Sequence, residues 1–154
     1  VQTKSDLVLR DTELFQGMKD VEVGLTITTT DGAVAGRFEP GAPSPEKRLE
    51  ALRELSDSRV RTWAFLGPVI PTVNDSPASL KSVINSVKDT GCRRILYDRL
   101  RLKPLVKMRL TPVLGDGAGH VFDTARDSGW MSGVYAEIEK LCKIAGVRCE
   151  RAFY

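Results

Sequence analysis

The chain has 154 residues, a formal net charge of +3 and 42% hydrophobic residues. This length suits one domain but falls short of the roughly 250 residues of a complete eight-stranded α/β barrel. No run of about 18 apolar residues is present, so we expect no membrane-spanning helix. The three cysteines fit no metal-finger spacing, and we expect reduced thiols in an intracellular, cytoplasmic protein.

The amino-terminal third is predicted to contain two strands separated by a helix. Residues 1–4 are expected to end a strand, and a helix is expected to start at Asp6 or Asp11. The stretch 21–30 then alternates apolar residues with small polar ones, which predicts a β-strand. Its threonines would face either the polar interior of a curved sheet that holds a small molecule, or solvent beside an edge strand.

The middle of the chain is predicted to continue with a loop, a helix and a strand. Residues 31–43 contain prolines and glycines that predict an irregular loop. Ser44 is expected to cap a helix that has proline in its first turn. The next strand is expected over 60–71, and Gly67 near its carboxyl end would let a ligand approach the backbone.

The carboxyl-terminal half is predicted to hold two helices and two strands. A helix is expected to start within 74–77, and a strand is expected over 94–98. Residues 99–120 are expected to be less regular and to end in a glycine-rich turn. The last helix is expected over 131–145, followed by a final strand over 147–153.

Strands and helices therefore alternate, with crossovers long enough for parallel pairing. We expect an α/β fold in one domain that spans 1–154. The expected architecture is an open, partial TIM-like barrel of about four βα units, with its helices on the outer face. The chain begins with Val1 rather than methionine, so we expect a piece of a longer protein.

Ligands of parallel α/β sheets bind at the carboxyl ends of the strands. The residues that this pattern brings together there are Lys4, Thr26, Thr28, Thr30, Asp31, the Glu39–Ser44 loop, Arg48 and Gly67-Pro68. Lys4 and Arg48 could bind a carboxylate, and Thr26 and Thr28 could hydrogen-bond a sugar. The backbone around Gly67 could contact a flat base. This set suits a nucleoside with an acidic tail. The single histidine has no candidate nucleophile nearby in sequence and is expected to be exposed.

A second candidate site is a basic cluster between Cys92 and Leu110, where seven basic residues accompany one acidic residue. Such a cluster could bind nucleic-acid phosphates, or it could be the solvated surface of a strand and helix. The residues proposed to contact nucleic acid are Arg93, Arg94, Arg99, Arg101 and Lys103; Lys107 and Arg109 complete the cluster.

Several short motifs within residues 1–103 form a recognisable set. They are Thr3-Lys4-Ser5, Leu9-Arg10-Asp11, Val21-Glu22-Val23-Gly24 with Thr28-Thr29, Glu39-Pro40-Gly41-Ala42-Pro43-Ser44-Pro45-Glu46 with Arg48-Leu49, and Pro68-Val69-Ile70-Pro71 with Asn74-Asp75. As a set they resemble radical S-adenosylmethionine proteins close to spore photoproduct lyase, often labelled DNA repair photolyases.

This resemblance implies a six-stranded parallel barrel whose first two strands are absent here. Lys4 and Thr26 match positions that contact S-adenosylmethionine, and Thr26 stands where a serine is usual. The backbone near Gly67 matches the adenine contact, and Arg48 is a further match. The intact protein would be a lyase-like enzyme that cleaves S-adenosylmethionine reductively to a deoxyadenosyl radical.

The resemblance also implies a 4Fe-4S cluster held by a CxxxCxxC loop in the absent amino-terminal part. The cysteines of this chain cannot replace that loop, because three thiolates must converge on one cluster. We therefore expect no metal ligands in this chain and no radical chemistry from it alone. The chain would contribute part of the S-adenosylmethionine pocket.

Two other functions stay open from the sequence: a nucleic-acid-binding module that uses the basic cluster, and a barrel-enzyme fragment that binds a phosphorylated metabolite. The expected partner is the missing amino-terminal part of the barrel. Without it, the first strand leaves an exposed sheet edge. We expect that edge to be covered by a second copy of the chain, giving a homodimer, or by the carboxyl-terminal segment.

Overall fold

The structure is a computed structural model that describes residues 1–152. Within that range, five parallel strands form one sheet, and each strand pairs with the next one along the chain. The strands are β1 (Gln2–Thr3), β2 (Val23–Thr26), β3 (Thr62–Val69), β4 (Arg94–Arg99) and β5 (Arg148–Arg151). The predicted α/β fold with an all-parallel sheet is confirmed.

Helices form every connection between these strands. They are α1 (Thr12–Gly17), α2 (Gly32–Phe38), α3 (Pro45–Asp57), α4 (Pro77–Asp89), α5 (Pro104–Leu114), α6 (Ala118–Thr124) and α7 (Ser128–Ala145), with 3₁₀ turns at Asp6–Asp11 and Gly115–Gly117. None of the helices in residues 1–152 is long and apolar enough to cross a membrane.

The two faces of the sheet differ in how they are covered. Leu25, Ala64 and Ile95 stand side by side in the register and are fully buried in the main core with residues of α3, α4 and α7. The opposite face carries Trp63 and Phe65, which are only half-buried. Right-handed crossovers between sequential parallel strands place helices on one face, which accounts for the difference.

The predicted starts of α3 and α4 and the predicted end of α7 are confirmed, whereas α7 begins at Ser128, capped by Asp127, rather than at residue 131. Ser44 accepts a hydrogen bond from the Lys47 amide at the start of α3, and Ser76 caps α4 in the same way. Gly146 ends α7 in the left-handed conformation, with a φ of 71°. Glycine adopts this conformation without the steric cost of a Cβ atom.

Two segments predicted to be irregular are helical instead. The loop prediction for 31–43 is wrong over α2, because the Asp31 carboxylate caps this helix through the Ala33 and Val34 amides at 2.8 and 3.0 Å. The prediction for 99–120 is wrong because α5 and α6 occupy most of it. Both helices are held by a second apolar cluster, which local sequence signals do not reveal.

The carboxyl-terminal segment does not cover the exposed edge at β1. Residues Arg148–Arg151 pair with β4 at the opposite edge of the sheet, so that part of the prediction is wrong. Phe153, the last residue of the predicted strand, lies outside the described residues. A homodimer through the β1 edge stays a prediction.

Glycine at position 24 allows an aromatic ring to lie directly on the sheet. A Cβ atom at Gly24 would lie 2.3–2.5 Å from three atoms of the Trp63 indole ring. We expect Gly24→Ala to lower the free energy of unfolding by about 1–3 kcal/mol, the usual cost of overpacking. Urea denaturation followed by circular dichroism measures this change.

The matched control for this prediction is Gly36→Ala. A Cβ atom at Gly36 meets nothing within 4 Å, and the residue lies in α2, where alanine is the better helix former. The control is expected to leave stability unchanged or to raise it slightly. Equal destabilisation by both substitutions would contradict the close packing of Trp63 on Gly24.

Candidate functional site: a cleft at the carboxyl ends of the strands

A cleft of about 340 Å³ lies where the parallel strands end, the usual location of ligand sites in such sheets. Its lining residues come from the ends of the strands, from α2 and from α5. They are Lys4, Thr28, Thr29, Val34, Phe38, Glu39, Pro68, Ile70, Val73, Asn74, Leu100, Val106, Arg109 and Leu110. The cleft has a polar end around Lys4 and Glu39 and an apolar end around Phe38 and Leu110.

The polar end is built on a carboxylate that pairs with two cations. Lys4 Nζ lies 2.8 Å from Glu39 Oε1, and Arg48 Nη2 lies 2.6 Å from Glu39 Oε2. The Glu39 side chain is 7% exposed and that of Arg48 is 1% exposed, whereas that of Lys4 is 43% exposed. We call this arrangement the Glu39 clamp. Its net charge is +1, and Lys4 is the member that faces solvent.

Arg48 supports the cleft but does not line it. Its Nε donates to the Pro43 carbonyl at 2.7 Å, and its Nη1 donates to the Thr26 carbonyl at 3.1 Å. Together with the Glu39 pair, these bonds join the start of α3 to the end of β2. Each guanidinium nitrogen therefore has a partner within the protein, Nε and Nη1 through hydrogen bonds and Nη2 through the ion pair with Glu39, and Arg48 acts as a positioning residue for Glu39 and Lys4.

The pKa of Glu39 reflects competition between burial and its two partners. Burial alone would raise the pKa of this carboxyl, but the hydrogen bonds and charges of Lys4 and Arg48 outweigh it. The net result is a Glu39 pKa below the ordinary value for glutamate. The clamp therefore holds an ionised carboxylate at neutral pH.

The two predicted threonines occupy different positions. Thr28 is buried, lines the cleft and has no hydrogen-bond partner for its hydroxyl within residues 1–152. Thr26 is outside the lining, and its hydroxyl accepts a hydrogen bond from Gln2 Nε2 at 3.3 Å. Thr29, which the sequence did not single out as a site residue, also lines the cleft and accepts from the Asp31 amide at 3.0 Å.

Gly67 lies next to the cleft rather than in it. The Gly67–Pro68 peptide bond is cis, and Pro68 contributes to the lining. A Cβ atom at Gly67 would lie 2.6 Å from the Phe65 ring and 3.1 Å from the Asp98 carbonyl oxygen. Packing within the sheet thus explains the need for glycine at this position.

Asn74 fixes the segment that follows β3, a role the sequence did not reveal. Its Oδ1 accepts from the Ile70 amide at 2.6 Å, and its Nδ2 donates to the carbonyls of Thr28 and Pro68 at 2.9 and 3.2 Å. Asn74 is 3% exposed. The sequence predicts Asn74 at a helix start, where asparagine is common, and its long-range bonds have no local signal.

The apolar end of the cleft comes from segments predicted to be irregular. Phe38 belongs to α2, while Val106 and Leu110 belong to α5, and all three are partly buried against the second apolar cluster. Arg109 lies at the rim and is exposed. The sequence predicts Arg109 in the basic cluster but gives no reason to expect it in the same cleft as Lys4.

The structure divides the basic cluster between two ends of β4. At the start of β4, Arg93 donates to the Lys88 carbonyl at 2.7 Å. Arg94 pairs with Glu22 at 2.9 Å and with Glu150 at 3.3 Å. The guanidinium groups of Arg93 and Arg94 thus already donate to carbonyls and carboxylates, and a nucleic-acid phosphate would need the same N–H donors.

The remaining basic residues of the cluster follow the far end of β4. Arg99 donates to the Ala125 carbonyl at 3.0 Å, and Arg101 pairs with Asp98 at 2.6 Å. Lys103 is exposed and precedes α5. A strand of this length separates the two groups by about 20 Å. Binding of nucleic acid by this cluster stays a prediction.

The cysteines are free thiols, as predicted, and Cys142 lies on α7. Cys92 donates to the Arg94 carbonyl at 3.4 Å, while the Cys142 and Cys149 thiols are close enough to influence each other's pKa. Burial raises the pKa of all three thiols. Residues 1–152 contain no group of three metal-ligating side chains, so these cysteines do not fit an iron–sulfur cluster. The predicted exposure of His120 is confirmed.

Comparison with known proteins gives relatives without an assigned function. The chain is 45% identical over 75 residues to the uncharacterized protein MJ0683 of Methanocaldococcus jannaschii, a match that covers 49% of the chain and 29% of that protein. It is 29% identical over 104 residues to the uncharacterized protein ORF301 of Acidianus two-tailed virus, a match that covers 65% of the chain and 35% of that protein. The matches thus span about a third of each relative. No family model matches the chain.

We expect Glu39→Gln to lower the free energy of unfolding at pH 7 by about 3 kcal/mol, because it leaves Arg48 buried without a counter-ion. The pKa of Glu39 in the folded protein is lower than its ordinary value of about 4.3 in the unfolded chain. The stabilisation by the clamp is therefore fully present above about pH 4.3, and it is lost as the pH falls through the pKa of the folded state. The difference between the wild type and Glu39→Gln should therefore shrink below about pH 4.

Urea denaturation at a series of pH values measures this dependence. Glu50→Gln is the matched control, since Glu50 is exposed on α3 and has no ion pair within residues 1–152. A constant difference between the wild type and Glu39→Gln down to pH 3 would show that the clamp does not depend on an ionised carboxylate.

Proposed function

We propose that this chain is the cofactor-pocket portion of a radical S-adenosylmethionine enzyme of the DNA repair photolyase-like type. The observation that carries the proposal is that Lys4 and Thr28 line one cleft at the strand ends, with the Glu39 clamp behind them. An ammonium and an unpartnered hydroxyl in one cleft suit a nucleoside with a carboxylate tail. The motif resemblance along residues 1–103 supports the same cofactor.

We further propose that the sheet is part of an open, TIM-like barrel. Sequential order of parallel strands with helices on one face is the arrangement from which such barrels are built. The half-buried rings of Trp63 and Phe65 would face the barrel interior. The relatives are about three times as long as the matched stretch, so the remaining strands would come from another part of the same protein.

In this proposal each residue of the polar end has a defined task. Lys4 binds the cofactor carboxylate, and Glu39 holds the Lys4 ammonium in place while Arg48 fixes Glu39. Thr28 hydrogen-bonds the ribose. When bound, S-adenosylmethionine supplies the radical chemistry at a four-iron cluster, which the missing part of the protein would hold. The chain alone is then not catalytic.

Because the chain lacks the cluster that would anchor the methionine end, we expect it to bind S-adenosylmethionine weakly. The expected dissociation constant is above about 1 mM, equivalent to less than about 4 kcal/mol. Nuclear magnetic resonance titration with millimolar S-adenosylmethionine should shift the amide signals of Lys4 and Thr28. Lys4→Gln should remove these shifts, because it removes the charge that binds the carboxylate.

Lys88→Gln serves as the control, since Lys88 is exposed and lies near the opposite end of the strands. It should leave the titration unchanged. Two results would argue against the proposal: shifts that avoid Lys4 and Thr28, or shifts that persist in Lys4→Gln. Micromolar affinity measured by calorimetry would contradict the view that the chain holds only part of the pocket.

A further inference from the structure

We propose that the apolar end of the cleft is a binding site for a small apolar group that carries one negative charge, and that Arg109 determines this specificity. The inference goes beyond the proposed function, because it uses Arg109 and the apolar lining residues of the cleft, which the proposed function leaves unused. The group bound there would lie beside whatever occupies the polar end. It is therefore suited to be the second substrate of the site.

The wall of this end is apolar and only partly covered by protein. Ile70 and Leu100 form its base and are 6% and 2% exposed. Phe38, Val106 and Leu110 are partly buried around them and line the cleft with their remaining surface. Covering this surface with an apolar ligand removes it from water, which is the main driving force for binding in such clefts.

The positive charge of Arg109 at the apolar end is not balanced by an acidic side chain within the described residues. Arg109 is exposed and makes neither an ion pair nor a hydrogen bond with residues 1–152. Glu39 is the sole acidic residue among the cleft-lining residues described, and its carboxylate already pairs with Lys4 and Arg48. An anion on the ligand would therefore meet an uncompensated guanidinium.

A single guanidinium beside an aliphatic wall favours one anionic group over a polyanion. Guanidinium binds carboxylate or phosphate through paired hydrogen bonds. A nucleic-acid backbone would need several cations in a row, whereas Arg109 is the one basic lining residue that the described chain places at this end. The shared chemistry is thus an apolar body with a terminal carboxylate or phosphate.

Three probes of equal chain length separate the contributions of charge and apolar contact: octanoate, octyl phosphate and octanol. Nuclear magnetic resonance titration of the full chain should show octanoate or octyl phosphate shifting the signals of Val106 and Leu110. The tighter of the two identifies the anionic group. Octanol should shift the same signals with weaker affinity, since it lacks the charge.

Substitution of Arg109 tests its role directly. We expect Arg109→Gln to weaken binding of the anionic probe about tenfold, or about 1.4 kcal/mol, and to leave octanol binding unchanged. Lys107→Gln on the same helix is the matched control, because Lys107 does not line the cleft. Leu110→Ala should weaken octanoate and octanol alike. Unchanged amide spectra elsewhere establish that each variant is folded.

Equal binding of octanol and the tighter anionic probe, or an unchanged affinity of that probe in Arg109→Gln, would overturn the role of Arg109. Probe-induced shifts confined to other regions, or no shifts at all, would overturn the site itself. The result of this experiment is independent of the S-adenosylmethionine titration, so each proposal can fail without the other. A chain that binds octanoate through Arg109 but gives no S-adenosylmethionine shifts at Lys4 and Thr28 retains this site and loses the proposed function.

Discussion

The cleft depends on one buried ion pair, that between Glu39 and Arg48. A guanidinium that is almost fully removed from water is stable only if its charge is balanced and its donors are satisfied. Glu39 balances the charge of Arg48, and the carbonyls of Pro43 and Thr26 accept hydrogen bonds from its Nε and Nη1. The same contacts fix the end of β2 against the start of α3. They also hold Glu39 where it can position Lys4.

The parallel sheet determines where this ion pair acts. All five described strands run in the same direction, so their carboxyl ends meet at one edge, and the connecting segments must cross that edge. Lys4 follows β1, Thr28 follows β2 and Pro68 lies near the end of β3. Three residues that are distant in sequence thus line the same cleft. The helices α2 and α5 also line the cleft and supply most of its apolar side chains.

The elements that sequence analysis located are those with a local physical signal. Ser44 and Gly146 mark helix ends because their effect is confined to the adjacent turn. The sequence does not predict α5 and α6, because they are held by packing against the second apolar cluster. It does not predict α2 either, although the Asp31 carboxylate caps that helix locally. The sequence likewise brought Lys4 and Arg48 to one region but could not show that their shared partner is Glu39.

A double-mutant cycle between Arg48 and Glu39 tests this account most directly. It compares the free energies of unfolding of the wild type, Arg48→Met, Glu39→Gln and the double variant by urea denaturation at pH 7. Glu39→Gln leaves Arg48 buried without a counter-ion, and Arg48→Met leaves the buried Glu39 with Lys4 as its one ion-pair partner in residues 1–152. We therefore predict a coupling free energy of about 2 kcal/mol or more between the two sites. A coupling near zero would contradict the account, since the two side chains would then contribute independently.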